Sequence, residues 1–349
     1  MERILIVRLS AIGDVIMASG IVPALKSRYP DAHIAWLAEP AAQQILKETN
    51  GIDQIISWPR HDWQALWKAR QYRKLWRAIR EFREQLHQMN FDIAVDVQGL
   101  LKSSFLAWLS GAPKRYGFKS KEKSHWFLTD AINKSRTDPR ISSEYRQMAK
   151  YLGADPEAFF RMTIGYHGST LGSAKHKLQQ LGVTGDYAVM LPFTTRPQKH
   201  WFDEHWHDFV TQHYQRYGVP LVMLGGPADE AHAQKIMAHS NGEIVNLVGQ
   251  TSLVETAAII EHAQCGVGVD TGLTHLCIAM ETPVVAIFGS TRPYIDTGWA
   301  GASVIYHDLE CSPCRRRPTC DGAFTCLRGI NADEVMTELE KVLHAHTAR

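Results

Sequence analysis

Four segments place reactive or hydrogen-bonding side chains just after an apolar run. The first is Ser10-Ala11-Ile12-Gly13-Asp14, which follows Ile4–Leu9 directly. A glycine at a strand-to-helix turn lets backbone approach a ligand, and the helix that follows presents free N–H groups. Asp14 falls on the first turn of that helix, where the dipole favours a negative charge. A carboxylate so placed can act as general base toward a hydroxyl, although acids on first turns are also common without any further role. The glycine stands alone, with no G-x-G-x-x-G near it, so no dinucleotide site is indicated.

The other three segments lie in the second half. Thr194, Thr195 and Lys199 follow the run Tyr187–Pro192, and two hydroxyls with a point positive charge suit phosphate oxygens. Asp229 and Glu230 follow Leu224-Gly225-Gly226, a position from which acids accept hydrogen bonds from ribose hydroxyls, or simply open the next helix. Asp270, Thr271, Gly272 and His275 end the run Gly266–Val269 and start a helix whose N-terminal N–H groups form an anion site suited to a diphosphate. His275 reads equally as a phosphate partner or as a residue of the capping turn. Taken together, these residues point to a phosphorylated leaving group held by one half of the chain and a base supplied by the other.

The elements that must position these residues are visible in the pattern. Ile4–Leu9, Ile34–Leu37, Ile55–Trp58 and Ile93–Val97 read as strands, as do Tyr187–Pro192, Leu221–Leu224, Ile244–Val248, Gly266–Val269 and Val284–Phe288. Their continuous apolar character is that of parallel strands buried on both faces. Helical stretches such as Val15–Tyr29 and His205–Tyr217 separate them, which gives βαβ units and an α/β fold of two doubly wound, Rossmann-like domains. Glycines accumulate between about 150 and 185, so the expected division is 1–170, then 180–330. A helical pattern over 331–349 is expected to cross back onto the first domain. Two such domains facing one another would set the active site in the cleft between them.

Composition limits the partners. The 349 residues carry 38 Lys+Arg against 36 Asp+Glu, a formal charge of +2, too balanced for a protein that binds nucleic acid over its whole surface. No nucleic-acid motif is present. The basic charge is local: eight Lys and Arg between Arg60 and Arg83, interleaved with Trp63, Trp67 and Trp76, with a second cluster at Lys114, Arg115, Lys119, Lys121 and Lys123. Leu75, Ile79, Phe82 and Leu86 bury one helix face and leave the charges on the other. That face is either merely solvated or a site for a polyanion at a membrane surface. No apolar stretch is long enough to span a bilayer or form an export signal, so the expected location is the cytoplasm. Cys311, Cys314, Cys320 and Cys326 crowd a Pro- and Arg-rich loop, where thiol chemistry or a tetrahedral metal fits better than disulfides.

As a set, Leu9–Val15, Asp96–Ser103, Thr194-Thr195 with Lys199-His200-Trp201, and Asp270–Leu276 resemble the lipopolysaccharide heptosyltransferases that use ADP-heptose. The resemblance implies a GT-B fold and an inverting, metal-independent transfer of heptose from ADP-L-glycero-D-manno-heptose to the Kdo-containing inner core of lipid A. It implies no cofactor, and it implies work at the cytoplasmic face of the inner membrane. It makes Asp14 the base. Thr194, Thr195 and Lys199 become the diphosphate contacts, and Asp270, Thr271, Gly272 and His275 the frame of the nucleotide. Asp229 or Glu230 becomes the ribose acid. Ser10, Gly13, Arg60, Lys102 and Ser103 fall to the acceptor. The cysteine loop is closer to the type-two enzymes, while Asp96–Ser103 is closer to type one. Three other readings are a heptosyltransferase with a protein or other glycan acceptor, a sugar-nucleotide epimerase, and a non-catalytic basic module at a membrane surface.

Overall fold

The computed structural model describes residues 1–135, 137–238, 240, 242–291 and 293–347. The chain forms two compact units, one of residues 1–138 with 142–165 and the other of 139–141 with 166–349. Each is built on one sheet whose pairings are parallel throughout. The first holds β1 (Arg3–Val7), β2 (His33–Ala38), β3 (Gln54–Ser57), β4 (Ile93–Asp96), β5 (Lys114–Phe118) and β6 (Asp130–Ile132), in the order β3-β2-β1-β4-β5-β6. The second holds β7 (Ala188–Leu191), β8 (Leu221–Met223), β9 (Ile244–Asn246), β10 (Gly266–Val269), β11 (Val284–Phe288) and β12 (Ala302–Tyr306), in the order β12-β11-β10-β7-β8-β9.

Both orders are the doubly wound one, so chain direction across each sheet reverses at one place: between β1 and β4, and between β7 and β10. Loops leaving the carboxyl ends of those paired strands diverge and open a crevice. The central strands are buried along their length, as their continuous apolar runs require.

Three strands lack a signal in the sequence. Strand β5 begins on Lys114 and Arg115, β6 is a three-residue edge, and β12 is an edge strand with only Ile305 buried. The edge strands β6 and β12 need bury only one face, so no apolar run announces them, while β5, between β4 and β6, is hidden by the charged residues it opens on.

Three other expectations are corrected. The single helix over Val15–Tyr29 is two, Ile12–Ala18 and Ile21–Arg28. They part at Ser19-Gly20, four residues before Pro23, which has no N–H for the Ser19 carbonyl and whose ring crowds it; Gly20 itself packs against the Phe160 ring, where an added Cβ would lie 2.4 Å from it. The division between the units falls at 165/166, and residues 168–180 form a helix of the second unit. The C-terminal helix Ala332–Thr347 also belongs to the second unit rather than crossing back to the first. Val335, Met336, Leu339 and Val342 join Ile287 and Ile305 in that unit's core. Its apolar stripe is thereby satisfied locally.

One buried group makes the second core sensitive to acid. His213, on the helix Asp203–Tyr217, lies between Phe209 and Tyr217 at ring-centroid distances of 5.7 and 5.0 Å. Neither ring nitrogen has a hydrogen-bond partner among the described residues. Burial pushes the imidazole down from 6.5 to about 4. The unfolded chain therefore takes up this proton first, and the residue's contribution to stability is lost as pH falls from 6.5 toward 4. Denaturant unfolding should show His213 removing about 2 kcal/mol of stability between pH 7 and pH 5. His213→Phe should flatten that slope, and equal slopes in the two proteins would refute the assignment.

Candidate active site

The two crossover points collect most of the residues singled out above. In the first unit, β1 leads into Arg8, Leu9 and Ser10 and then the helix carrying Asp14. Asp14 Oδ2 lies 2.5 Å from Arg8 Nη2 and accepts from the Ala11 backbone N–H at 3.4 Å. The Asp14 side chain is 42% exposed, whereas Arg8 is buried. At the end of β4, Asp96 is fully buried and organises the next turn. Its Oδ1 accepts from the N–H groups of Gln98 and Gly99 at 2.9 and 3.0 Å. Its Oδ2 accepts from Ser103 at 3.0 Å and from Ser104. Burial pushes this carboxyl up, against the pull of those four donors. Gly99 turns the chain with φ +72°, which a side chain would strain. The turn sets Lys102 beside Glu39.

Glu39 is the centre of a small cationic cluster. Its carboxylate takes Arg60 at 3.0 and 3.1 Å, Lys102 at 3.7 Å and the Ser10 hydroxyl at 3.5 Å. Both cations also approach the Trp58 ring, at 6.0 and 5.6 Å. Two positive charges on one carboxylate leave a surplus, which favours an anionic ligand at this place. Ser103 does not join it. It is fully buried and committed to Asp96 and the Leu100 carbonyl, so it shapes the turn instead of offering a hydroxyl to an acceptor. Gly13 sits half-buried in the first helix.

In the second unit, the crossover pairs β10 with β7. Lys199 Nζ lies 2.8 Å from Asp270 Oδ2, with side chains only 15% and 12% exposed. Burial would push the Asp270 carboxyl up, but the His275 hydrogen bond and the Lys199 charge hold it well below the usual carboxylate range. Thr291 donates to the same oxygen. His275 Nε2 lies 3.6 Å from Asp270 Oδ1, while its Nδ1 is 2.8 Å from the Tyr294 hydroxyl. Burial pushes the Tyr294 phenol well up, so it stays a donor to Nδ1 and leaves the Nε2 proton for Asp270. His275 is thus placed between Tyr294 and Asp270, as a brace of the latter. Thr271 caps the helix Gly272–Ala279, whose first N–H groups remain available. Strand β10 lets that helix approach through Gly268, where a Cβ would lie 2.3 Å from Thr274 Oγ1.

Thr195 is exposed, and Thr194 is half-buried with its hydroxyl 3.5 Å from the Asp270 carbonyl. Asp229 and Glu230 separate clearly. Asp229 accepts from the Gly226 N–H at 2.9 Å and closes its own turn, whereas Glu230 is exposed and has no polar partner among the described residues. The cysteines are free thiols, Cys311 exposed, Cys314 and Cys320 half-buried and Cys326 buried. Among the described residues, no three His, Cys, Asp or Glu are grouped to hold a metal.

Arg8, Glu39, Thr291 and Tyr294 were not singled out from the sequence. Arg8 had a signal, as the one charge inside an apolar run. Glu39 had the weaker one of an acid just past a strand. Thr291 and Tyr294 had none, because only the fold brings them to Asp270.

The comparisons with known proteins agree with this geometry. Glycosyltransferase family 9 (heptosyltransferase) matches residues 79–323. Lipopolysaccharide heptosyltransferase 1 of Pseudomonas aeruginosa is 26% identical over 98% of this chain and 98% of its own. The protein of that name from Escherichia coli K12 is 28% identical over 85% of this chain and 91% of its own. The E. coli heptosyltransferase WaaC, solved with ADP, superposes with a TM-score of 0.74 at 24% identity, covering 97% of this chain and 99% of that one. Two doubly wound sheets in this arrangement of the chain are the GT-B fold. The match covers well over half of the sequence, and the chain belongs to glycosyltransferase family 9.

Proposed function

We propose that the protein transfers heptose from ADP-L-glycero-D-manno-heptose to the Kdo-containing inner core of lipopolysaccharide, with inversion and without a divalent metal. The observation that carries this reading is the division of labour between the two crossovers. The second unit holds a nearly buried lysine beside free helix N–H groups, and the first offers an exposed carboxylate near surplus positive charge. The acceptor is the class named for the relatives, both of which are heptosyltransferases 1 of lipopolysaccharide. That favours addition of the first heptose. Family membership leaves no support for the epimerase and non-catalytic readings.

In this mechanism, Asp14 takes the proton of the acceptor hydroxyl as that oxygen attacks the anomeric carbon. Attack from the face opposite the diphosphate inverts the centre. Negative charge then develops on the β-phosphate of the departing ADP. Lys199, the Thr194 and Thr195 hydroxyls and the N–H groups after Thr271 are the donors that stabilise it, in the role a metal ion has elsewhere. Asp270 holds Lys199 in place. Glu230, the acid free of local bonds, takes the ribose hydroxyls, and Arg60 and Lys102 take acidic groups of the acceptor.

A basic and aromatic surface supports work at a membrane. Trp67, Tyr72 and Trp76 are 62%, 52% and 70% exposed on the helices Arg60–Lys68 and Tyr72–Gln88. Phe82 and Leu86 bury the opposite face of the longer helix, with Leu75 and Ile79 half-buried beside them. Arg77 and Arg80 pair with Glu81 and Glu84, whereas Arg73, Lys74 and Arg83 form no ion pair among the described residues. No described helix is long and apolar enough to cross a membrane. Peripheral attachment to the anionic cytoplasmic leaflet is the arrangement these side chains fit.

The decisive assay combines purified protein, ADP-heptose and Kdo-lipid A, and measures ADP release with EDTA present. Turnover should persist. Loss in chelator, with recovery on adding a divalent ion, would overturn the role given to Lys199. Lys199→Ala should lower kcat/KM by roughly 10²–10³. Asp14→Asn should lower kcat by about 10²–10⁴ while ADP binding, followed by calorimetry, changes less than about twofold.

Sedimentation with vesicles tests the surface. Binding should require anionic lipid and weaken in salt, and Lys74→Glu should cost about 1–2 kcal/mol of affinity. Equal binding to neutral vesicles would count against an electrostatic attachment.

A further inference from the structure

The least explained group near the reacting carboxylate is Arg8. It follows β1 directly and is 5% exposed, a single charge inside a run of buried apolar residues. Removing a guanidinium from water is expensive unless its charge is compensated and its N–H groups are bonded. Here the compensation comes from the first-turn carboxylate of the next helix, with Nη2 lying 2.5 Å from Asp14 Oδ2. Nη1 is 3.5 Å from the Val97 carbonyl at the end of β4, and the guanidinium approaches the buried Tyr145 ring at 5.8 Å. Asp14 itself is 42% exposed, so water can reach it without Arg8. Solvation of the acid therefore does not account for a buried cation beside it.

What the pair does is divide the two carboxylate oxygens. Oδ2 accepts from both Arg8 Nη2 and the Ala11 N–H, at 2.5 and 3.4 Å, while Oδ1 has no partner among the described residues. An untethered aspartate at a helix N-terminus samples several rotamers and offers either oxygen. With Oδ2 fixed from below, the remaining oxygen has one orientation. Arg8 is tied to the sheet through its backbone, whose carbonyl accepts from the buried Trp36 indole at 3.1 Å, while Nη1 lies 3.5 Å from the Val97 carbonyl just past β4 and the buried Nε has no partner among the described residues.

We propose that Arg8 is a positioning residue for the transfer reaction, holding one oxygen of Asp14 so that the other faces the acceptor hydroxyl. This rests on Asp14 being the base. Arg8 acts through Asp14, so its effect should vanish when Asp14 can no longer accept a proton. A role confined to charge compensation in the core would act on folding and leave the two residues independent.

The experiment is a double-substitution cycle on the full chain with ADP-heptose and Kdo-lipid A, read as kcat, the KM for each substrate and thermal melting. Arg8→Gln should lower kcat about 30- to 100-fold, the effect expected when a reacting group is displaced by about 1 Å. The KM for ADP-heptose should stay within about twofold, because the donor residues lie in the other unit. Arg8→Lys, which can still reach one oxygen, should recover most of the loss. Combined with Asp14→Asn, Arg8→Gln should lower kcat no further. If Arg8→Gln melts below the assay temperature, Arg8→Met, which removes the charge but keeps an apolar stem, carries the same cycle. A loss that multiplies in the Asp14→Asn background, or an Arg8→Gln enzyme with wild-type kcat beside an impaired Asp14→Asn, would overturn the inference alone. Full activity of Asp14→Asn would instead remove the base on which it rests.

Discussion

Among the described residues, a cation sheltered from solvent is held against a carboxylate just past a central strand in each unit, and the proposed chemistry is built around these two pairs. In the first unit the pair is Arg8 and Asp14 at 2.5 Å; in the second it is Lys199 and Asp270 at 2.8 Å. Such pairs contribute little net stability, because the attraction between the charges is offset by the water each gives up. They do restrict geometry, since a desolvated charge cannot leave its partner without a large penalty. The two pairs are used in opposite senses. At Arg8 the cation is sealed in and the acid is the exposed partner. At Lys199 both are nearly buried, and the acid is met from two further directions by Thr291 and by His275, which Tyr294 backs.

The difference follows from what each site must do. A base has to meet a hydroxyl, so its carboxylate needs an open oxygen. A donor cradle has to meet a diphosphate carrying several negative charges, so its lysine needs to be present, charged and unable to swing away. Asp270 achieves this by remaining ionised in a place where burial alone would neutralise it. The arriving phosphate then finds an ammonium already immobilised, and little reorganisation is left for the moment when charge develops. Glu39 does corresponding work in the first unit, drawing together Arg60 and Lys102, the cations proposed for the acceptor, although they lie 42 positions apart in sequence.

Much of this was readable from residue types. Continuous β-branched runs identify the central strands because those strands are covered on both faces. Asp14, Lys199 and Asp270 are found because polar residues just past such runs must sit at the carboxyl ends of parallel strands. The legibility fails where a position is decided by tertiary contact alone. Ser103 looks like a ligand hydroxyl until Asp96 is seen to claim it. His275 looks like a phosphate contact until Tyr294 and Asp270 are seen to hold both of its nitrogens. The C-terminal helix is amphipathic either way, and no periodicity says which core its stripe will enter.

Two of these failures share a physical form. At Ser103 and His275 a polar side chain is taken up by neighbours inside its own unit, chiefly a buried acid. Buried carboxylates must collect donors, since an ionised group without them is too costly to keep out of water. Asp96 collects four and Asp270 collects three, and each then removes nearby hydroxyls or imidazoles from the set available to a ligand. Asp229, occupied by the Gly226 N–H, shows the same effect on a smaller scale, while its neighbour Glu230 is unclaimed. Sequence alone does not show which polar residues a unit's own buried acids take up. Thr195 and Glu230, both exposed, are left outside these networks, and Asp14 keeps Oδ1 without a partner among the described residues.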